Sequence, residues 1–297
     1  MSEPIKGILA LVSACMIWGF AAVYYKQIAH IPPLEVLSHR TIWSLVFLLG
    51  LLSYMGRLAE IKAMLYHKRS ITIVTIAALL ISINWFTYIL SVQIGRVVES
   101  SLGYYIFPLV AVVLGYLFLG ERIARLQWYS VGLACFAVTL LTIGLGVAPW
   151  VSLILAFSMG FYGVCKKSLP AGPVVSVMGE VIVLAPFALI WLLGVHHLGW
   201  TGFVGRAGGY FGSGWDTGLL MFAGPITAGP LVLMSYGMKR LTLASAGLVQ
   251  YLNPTLQFAV GTVIFMEPVT NWHFMAFGLI WIALGLYSYA SWRRERS

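Results

Sequence analysis

The sequence has few charged residues. Lys, Arg, Asp and Glu make up 9% of its 297 residues, while apolar residues make up 60%. A soluble domain carries about 25% charged residues, because it needs them to cover a surface that faces water. The composition therefore excludes a soluble enzyme. About 20 apolar residues cross a bilayer, so the length has room for roughly ten spans with short loops and for no separate catalytic or nucleic-acid domain.

Cysteines and catalytic motifs are also scarce. The three cysteines, Cys15, Cys135 and Cys165, lie within apolar runs and show neither metal-ligand spacing nor a disulfide pattern. The sequence contains no His-Glu-x-x-His, no Gly-x-Ser-x-Gly and no glycine-rich nucleotide loop. His196 and His197 fall in a predicted outer loop with no third ligand nearby. We therefore predict that the chain is not an enzyme and holds no cofactor or metal.

Long apolar runs, separated by charge, proline and glycine, predict an all-α integral membrane protein with ten transmembrane helices. The strands of a membrane barrel would alternate apolar and polar residues over about ten positions, which these runs do not do. The predicted spans are residues 7–26, 34–55, 71–93, 99–119, 127–146, 149–166, 173–194, 217–237, 244–266 and 271–291.

The basic residues are distributed unevenly over the predicted loops. Three of them, Lys26, Arg96 and Arg206, lie on one set of loops, and fourteen lie on the opposite set and the termini. Cytoplasmic loops carry the excess of Lys and Arg, so both termini are predicted to be cytoplasmic, which requires an even number of spans. We therefore attribute the net charge of +9 to membrane orientation and not to nucleic-acid binding. The fourteen are Lys6, Arg57, Lys62, Lys68, Arg69, Arg122, Arg125, Lys166, Lys167, Lys239, Arg240, Arg293, Arg294 and Arg296.

Two pairs of segments indicate that the halves of the chain repeat each other. Residues 19–26 and 160–167 both begin with Gly-Phe and end with Lys. Residues 101–121 and 245–267 each place a glutamate thirteen residues after a proline. The unit is five helices, so its second copy must insert upside down. Inverted repeats are typical of secondary transporters, with a substrate site near the middle of the membrane, although some channels share them. The predicted repeats are residues 1–146 and 147–297.

Several motifs resemble a known family of carriers. They are Trp18-Gly19 with Tyr25-Lys26, Pro33-Leu34-Glu35 with Ser38-His39-Arg40-Thr41-Ile42-Trp43-Ser44, the run from Arg96 to Tyr105, and the run from Leu248 to Phe258. Together they resemble the RarD subgroup of the EamA-type transporters, in the drug/metabolite transporter superfamily, over almost the whole chain. The resemblance implies ten helices in two inverted halves around a central cavity, with alternating access. The chain departs from the subgroup at Phe107, where asparagine is usual, and in the glycine-rich loop at 195–216.

From the repeat and the resemblance we predict a secondary active transporter. It would export small amphipathic or aromatic metabolites or drugs across the bacterial inner membrane. A channel or facilitator for small solutes with the same fold is the alternative. The energy for transport must come from an ion gradient or from the substrate's own gradient, and a proton is the candidate coupling ion. The expected partners are the substrate and the lipid bilayer, with no nucleic acid, and the chain is expected to be a monomer or a loose homodimer.

Charged residues within the spans are the first candidates for the site. A charge near the centre of a membrane helix costs roughly 2.5 kcal/mol or more, so it persists where it faces a cavity or a partner. Arg40 and Glu180 occupy roughly matching places in the two halves. We predict that Glu180 faces the central cavity and that Arg40 lies close enough to interact with it or with a shared ligand. A purely structural buried pair is the alternative.

Aromatic and amide side chains complete the predicted substrate site. An apolar pocket with a few polar groups suits an aromatic or amphipathic molecule. A carboxylate among aromatic rings would also suit an organic cation. Besides Glu180 and Arg40, the predicted substrate-binding residues are Trp18, Asn84, Trp85, Tyr104, Tyr105, Gln250, Tyr251 and Asn253.

A further set of residues is predicted to serve coupling or gating. These residues are His39, Glu99, Lys26, Lys167, Pro108 and Pro254. His39 is either a proton carrier or a hydrogen-bonded spacer, and Glu99 is expected to cap the positive end of its own helix. Each proline is predicted to kink its helix in mid-span. The two lysines are expected either to reach the membrane interface or to form symmetric gate contacts. We expect Glu121 and Glu267 to gate or anchor helix ends.

Overall fold

A computed structural model describes residues 2–120, 124–198, 200, 214–238, 240–241 and 249–296, and all regular structure within these ranges is helical. The helices are α1 (Glu3–Gly19), α2 (Ala21–Gln27), α3 (Pro33–Tyr54), α4 (Leu58–Tyr66), α5 (Lys68–Gln93), α6 (Val97–Leu119), α7 (Arg125–Leu145), α8 (Trp150–Lys167), α9 (Pro173–His197), α10 (Gly214–Met238), α11 (Leu252–Ala259), a π-helix (Val260–Ile264) and α12 (Asn271–Arg296).

Within these described ranges, eight stretches of helix are long and apolar enough to cross a membrane. They comprise α1 with α2, and α3, α5, α6, α7, α9, α10 and α12. Each corresponds to one of the ten predicted spans. The predicted span 149–166 is the helix α8, whose 18 residues include Lys166 and Lys167 and are therefore less apolar. The predicted span 244–266 falls partly on residues 242–248, which lie outside the described ranges, and continues through α11 and the π-helix.

One helix was not predicted. The stretch 56–70 was assigned to a cytoplasmic loop because of its four basic residues, yet α4 forms there and buries Ile61 and Met64 while Glu60 and Lys62 stay exposed. Arg57 donates to both carboxylate oxygens of Glu60, at 2.6 and 2.8 Å. These hydrogen bonds hold the pKa of the Glu60 carboxyl below its ordinary value. Nine residues are too few for a span, so this helix packs along the bundle.

Two predicted spans are interrupted. The first was expected to be continuous over 7–26, but Phe20 separates α1 from α2. The ninth was expected to contain Pro254 in mid-helix; a turn at Tyr251 instead begins α11, and Pro254 lies in its first turn. A proline fits there without loss, because the first turn of a helix does not use its N–H groups. Val249 and Gln250 are also helical, so this interruption falls inside the predicted span, and the kink at Pro254 stays a prediction; Pro108 lies inside α6.

The end of the ninth predicted span has an unusual backbone. The N–H of Phe265 donates to the carbonyl of Val260 at 2.9 Å, the spacing of a π-helix. Met266 follows with a φ of 51°, in the left-handed region that non-glycine residues rarely adopt. Gly120, which follows α6, has a φ of 67°. Met266 and Gly120 each lie twelve residues after a proline, Pro254 and Pro108 respectively, and immediately before a glutamate.

The helices pack in a limited set of pairs. The extensive contacts are those of α6 with α8, α7 with α12, α3 with both α9 and α10, α1 with α10, and α5 with α8. Smaller contacts join α1 to α11, α6 to α11, and α5 to α9. Two glycines permit close approach: a Cβ at Gly224 of α10 would overlap the carbonyl of Trp43 on α3, and one at Gly103 of α6 would lie 2.8 Å from the carbonyl oxygen of Ser152 on α8.

Candidate functional site

Glu180 lies in a buried polar cluster between α8 and α9. Its side chain is fully buried, and Oε1 accepts hydrogen bonds from Lys166 Nζ at 2.6 Å and from Ser176 Oγ at 3.2 Å. Oε2 accepts one from the Tyr162 hydroxyl at 3.0 Å. Lys166 also donates to Ser176 at 2.5 Å. Both carboxylate oxygens are therefore satisfied, and the negative charge is paired with a lysine that is itself 22% exposed.

The predicted contact between Arg40 and Glu180 does not form. Within the described residues, the partners of Glu180 are Lys166, Tyr162 and Ser176, while Arg40 faces aromatic rings. Lys166 is the last residue of the predicted span 149–166 and counts among the predicted cytoplasmic charges, so it was not expected as a partner of Glu180. A local signal was present: Tyr162 and Lys166, like Ser176 and Glu180, are four residues apart and share a helix face.

Arg40 lies on the faces of two aromatic rings. Its guanidinium carbon is 4.0 Å from the ring centroid of Trp85 and 5.8 Å from that of Tyr25, and the residue is only 6% exposed. In the described part of the chain, no carboxylate lies within 4.0 Å of this guanidinium. Arg40 Nε has no hydrogen-bond partner there, and neither has the hydroxyl of Ser44, one turn further along α3. Buried polar atoms are seldom left unpaired, so this cluster has unused capacity to bind a ligand.

Three predicted site residues surround Arg40 or continue its cluster. Trp85 stacks on it, and Tyr104 donates to the side-chain oxygen of Asn84 at 3.1 Å. The amide nitrogen of Asn84 donates across to α8, to the carbonyl of Leu155 and the hydroxyl of Ser158, at 3.1 and 3.0 Å. Tyr88, which is not among the predicted substrate-binding residues, packs between Tyr25 and Tyr104, and its buried hydroxyl has no hydrogen-bond partner among the described residues. We call Arg40, Trp85, Tyr25, Tyr88 and Tyr104 the arginine–aromatic cluster.

The remaining predicted substrate residues lie elsewhere in the bundle. Trp18, Gln250 and Asn253 line a small cavity of about 40 Å³ between α1, α10 and the start of α11. Tyr105 shares a 2.6 Å hydrogen bond with Thr255, and Tyr251 packs against the core around Tyr105. A larger concavity, an open groove of about 630 Å³, contains none of the predicted site residues; it is lined by apolar residues of α3, α4 and α9 with Lys62.

Two glutamates hold helix N-termini. Glu267 accepts from the backbone N–H groups of Val97 and Val98, at 2.8 and 2.7 Å, and so caps α6 from the far end of the sequence. Glu99, in the first turn of α6, accepts from the N–H of Val151 on α8 at 2.9 Å. Glu99 lies in the first turn of α6, as predicted, but its carboxylate accepts from Val151 and from the side chain of Arg96; its effect on the positive end of α6 stays a prediction. The expected anchoring role of Glu267 fits its two hydrogen bonds.

Replacing Glu267 by alanine is expected to lower the stability of the protein by about 1–2 kcal/mol, because two N–H groups at the positive end of α6 lose a charged acceptor. The measurement is the melting temperature in detergent micelles. Glu60→Ala, which removes a carboxylate exposed on α4, is the control and should change it little. Equal shifts for the two variants would contradict the role of the cap.

The other gating candidates have varied surroundings. Lys26 lies over the ring of Phe265, with its Nζ 5.5 Å from the centroid. Lys167 is exposed at the end of α8, and its neighbour Lys166 makes the contacts to the buried carboxylate. Glu121 and most of the predicted 195–216 loop (residue 199 and residues 201–213) lie outside the described residues.

His39 faces a second element and not the arginine–aromatic cluster. Together with Glu35, one turn earlier on α3, and His196, in the last turn of α9, it forms a group whose potential ligand atoms all lie within 4.8 Å of one another. The prediction that His196 has no third ligand nearby was therefore wrong. It failed because Glu35 and His39 are distant from His196 in sequence and are brought to it by the packing of α3 on α9.

Comparisons with known proteins agree with this architecture. Residues 5–143 match the EamA-like transporter family. The uncharacterized transporter YojE of Bacillus subtilis strain 168 is 37% identical, covering 99% of this chain and 97% of its own length. Protein RarD of Streptomyces exfoliatus is 37% identical over 99% of this chain and 92% of its own, and protein RarD of Escherichia coli K12 is 34% identical over 95% and 93%.

A solved crystal structure also resembles the chain. It has a TM-score of 0.61, covers 94% of this chain and 96% of its own, and is 17% identical, so it supports the fold alone. The family and these named relatives are described as transporters or by the RarD name, not as enzymes. With several helices of membrane-spanning length, the chain belongs to the EamA-like transporter family, in its RarD group, and is a multi-pass membrane transporter.

Proposed function

We propose that the chain is a secondary active transporter that works by alternating access, with ten spans in two inverted five-helix repeats. The first repeat is residues 1–146 and the second is residues 147–297. Its spans are α1 with α2, α3, α5, α6 and α7 in the first half, and α8, α9, α10, α11 with the π-helix, and α12 in the second. Both termini are placed in the cytoplasm of a bacterium by the distribution of basic residues.

The pattern of helix contacts is the observation that carries this proposal. The order of the spans makes α1 equivalent to α8, α3 to α9, α5 to α10, α6 to α11 and α7 to α12. When each helix is replaced by its equivalent, the contact of α6 with α8 becomes that of α11 with α1. Likewise, α5 with α8 becomes α10 with α1, and α5 with α9 becomes α10 with α3. The pairs α3–α9, α6–α11 and α7–α12 each join equivalent helices. A contact map that survives this exchange is what a two-fold axis between the halves would produce.

The backbone provides independent support. In both halves the residue twelve after the proline is left-handed and precedes a glutamate: Gly120 before Glu121, and Met266 before Glu267. Helices of an odd-numbered repeat must cross the membrane in opposite directions in the two copies. Rocking of one such half against the other would expose a central site to each side in turn.

The substrate class follows from the arginine–aromatic cluster. Glu180 is paired with Lys166, which disfavours the organic cation considered from the sequence. Arg40 has aromatic faces around it and no carboxylate partner in the described residues. A guanidinium donates well to carboxylates, and its flat face stacks on aromatic rings. We therefore infer that the substrate is a small aromatic or amphipathic molecule with an anionic group, that Arg40 contacts that group, and that the molecule is exported with a proton as the coupling ion.

Counterflow in proteoliposomes tests the mechanism. Vesicles preloaded with unlabelled benzoate, indole-3-acetate or phenylalanine should accumulate the same labelled compound, and an imposed proton gradient should increase this uptake. Benzamide, which lacks the carboxylate, is the matched control. Uptake that saturates and shows counterflow supports a carrier, whereas fast uptake without counterflow would favour the channel or facilitator. Absence of specific uptake for all three of these aromatic carboxylates would overturn the proposed substrate class.

A further inference from the structure

We propose that Glu35, His39 and His196 form a binding site for a divalent transition-metal ion, with Zn²⁺ as the best fit. The ligand atoms of these three residues lie within 4.8 Å of one another. Two of the residues come from α3 and the third from α9, so the ion would join helices that lie far apart in sequence.

The chemistry of the three side chains selects the metal. Two imidazoles and one carboxylate are the ligand set of zinc sites that keep a fourth position open for water. Mg²⁺ and Ca²⁺ prefer oxygen ligands alone, so a site with two histidines discriminates against them. The three cysteines are not part of the group, and a soft copper(I) site is therefore not expected.

The geometry requires only a small adjustment. Zinc binds nitrogen and oxygen at about 2.0–2.2 Å, so ligand atoms around a tetrahedral ion lie about 3.3 Å apart. To reach that separation, the ligand atoms of the three side chains must move by about 1.5 Å or less, which side-chain rotation can supply. Glu35 and His39 are four residues apart on one face of α3, and the rings of His39 and His196 have centroids 6.1 Å apart. Arg40 points away from the group, onto Trp85.

Burial fits a site reached from one side. Glu35 is fully buried and His39 is 4% exposed, while His196 is only partly buried in the last turn of α9. The group lies where α3 begins and α9 ends, which the distribution of basic residues assigns to the outer side of the membrane. An ion would therefore enter past His196. The carboxylate of Glu35 offsets part of the ion's charge in this buried setting.

The consequence for the protein is a bridge between its halves. α3 belongs to residues 1–146 and α9 to residues 147–297, so a bound ion would hold their outer ends together. If the halves move as proposed above, Zn²⁺ would keep the outer side closed and inhibit transport. This inhibition rests on the proposed function, but binding of the metal does not.

Direct binding of Zn²⁺ to the purified full-length protein tests the site. The protein should carry no histidine tag, and Cys135 should be replaced by serine in every sample, because it is an exposed thiol that could bind metal. Isothermal titration with zinc chloride is expected to give one site per chain. The melting temperature should rise with zinc, since the ion binds the folded state. Magnesium chloride is expected to give neither effect.

Neighbouring histidines provide a matched pair of variants. His196→Gln should weaken zinc affinity by at least about tenfold, because loss of even an outer-shell partner of a metal costs that much. His197→Gln, one residue further on and exposed, should leave it unchanged. Glu35→Gln should weaken affinity like His196→Gln, and if it folds poorly His39→Gln replaces it. Equal affinity of the His196 and His197 variants, or no zinc binding by the parent protein that carries only Cys135→Ser, would overturn the site whatever the transport assay shows.

Discussion

Replacing Lys166 by methionine is expected to destabilise the folded protein by about 3 kcal/mol, the lower end of the range for breaking a buried ion pair. The variant leaves the fully buried carboxylate of Glu180 with only the hydroxyls of Tyr162 and Ser176 as donors. We take the lower end because Lys166 is 22% exposed and water can reach it. A large fall in the melting temperature in detergent micelles is the expected measurement.

Two further variants separate the ion pair from a simple loss of charge. Lys167→Met removes the adjacent, exposed lysine and should change the melting temperature little. The double variant Lys166→Met with Glu180→Gln removes both charges and should recover most of the loss, because no unpaired carboxylate remains in the interior. If Lys166→Met and Lys167→Met melted alike, the buried pair would not be the source of stability.

Replacing Arg40 by glutamine is expected to weaken binding of an aromatic carboxylate by about tenfold to a hundredfold. Hydrogen bonds to a charged group contribute about 1.5–3 kcal/mol, and 1.4 kcal/mol corresponds to a factor of ten. The measurement is the Kd from titration of the detergent-solubilised protein, followed by the KM for counterflow. Glutamine has a shorter side chain but keeps a polar group at this position, so a folding defect is less of a concern than with an apolar residue.

A comparison of ligands and variants makes this prediction specific. The affinity for a neutral aromatic such as benzamide should be almost unchanged by Arg40→Gln, because benzamide has no anionic group for Arg40 to contact. Arg40→Lys should give an intermediate loss, since it keeps the charge but not the flat surface that stacks on Trp85. Arg57→Gln, at the surface, is the control. An equal loss for anionic and neutral aromatics would show that Arg40 supports the fold of the pocket and does not contact the substrate.

Most helices could be predicted because lipid imposes a simple rule on sequence. A span needs about 20 apolar residues with its backbone satisfied internally, so α3, α5 and α7 can be recognised from hydropathy alone. The interruptions could not. Hydropathy does not mark either interruption, because Phe20 and Tyr251 lie within apolar stretches, although Tyr251 lies three residues before Pro254, which has no N–H group to donate. The helix α4 was not predicted because its nine residues lie among basic residues and do not produce a hydropathy signal.

The candidate site was only partly accessible to the same reasoning. Arg40, Asn84, Trp85 and Tyr104 are predicted as buried polar or aromatic site residues; three of them belong to the arginine–aromatic cluster, and Asn84 touches it through Tyr104. The partner of Glu180 was mistaken because the rotation of one helix against another is not encoded in hydropathy. The group of Glu35, His39 and His196 was missed for a related reason: only the first two share a helix, and a third ligand can come from anywhere in the chain.

The left-handed backbone at Met266 changes how the neighbouring cap should open. A residue with a Cβ costs roughly 1–2 kcal/mol in this conformation, and Met266 directly precedes Glu267, whose carboxylate accepts from the N–H groups of Val97 and Val98. When the Glu267 carboxylate no longer accepts these hydrogen bonds, the backbone at Met266 can relax toward a more favourable φ and recover that cost. Releasing the N-terminus of α6 from Glu267 should therefore cost less free energy than breaking the two hydrogen bonds alone would.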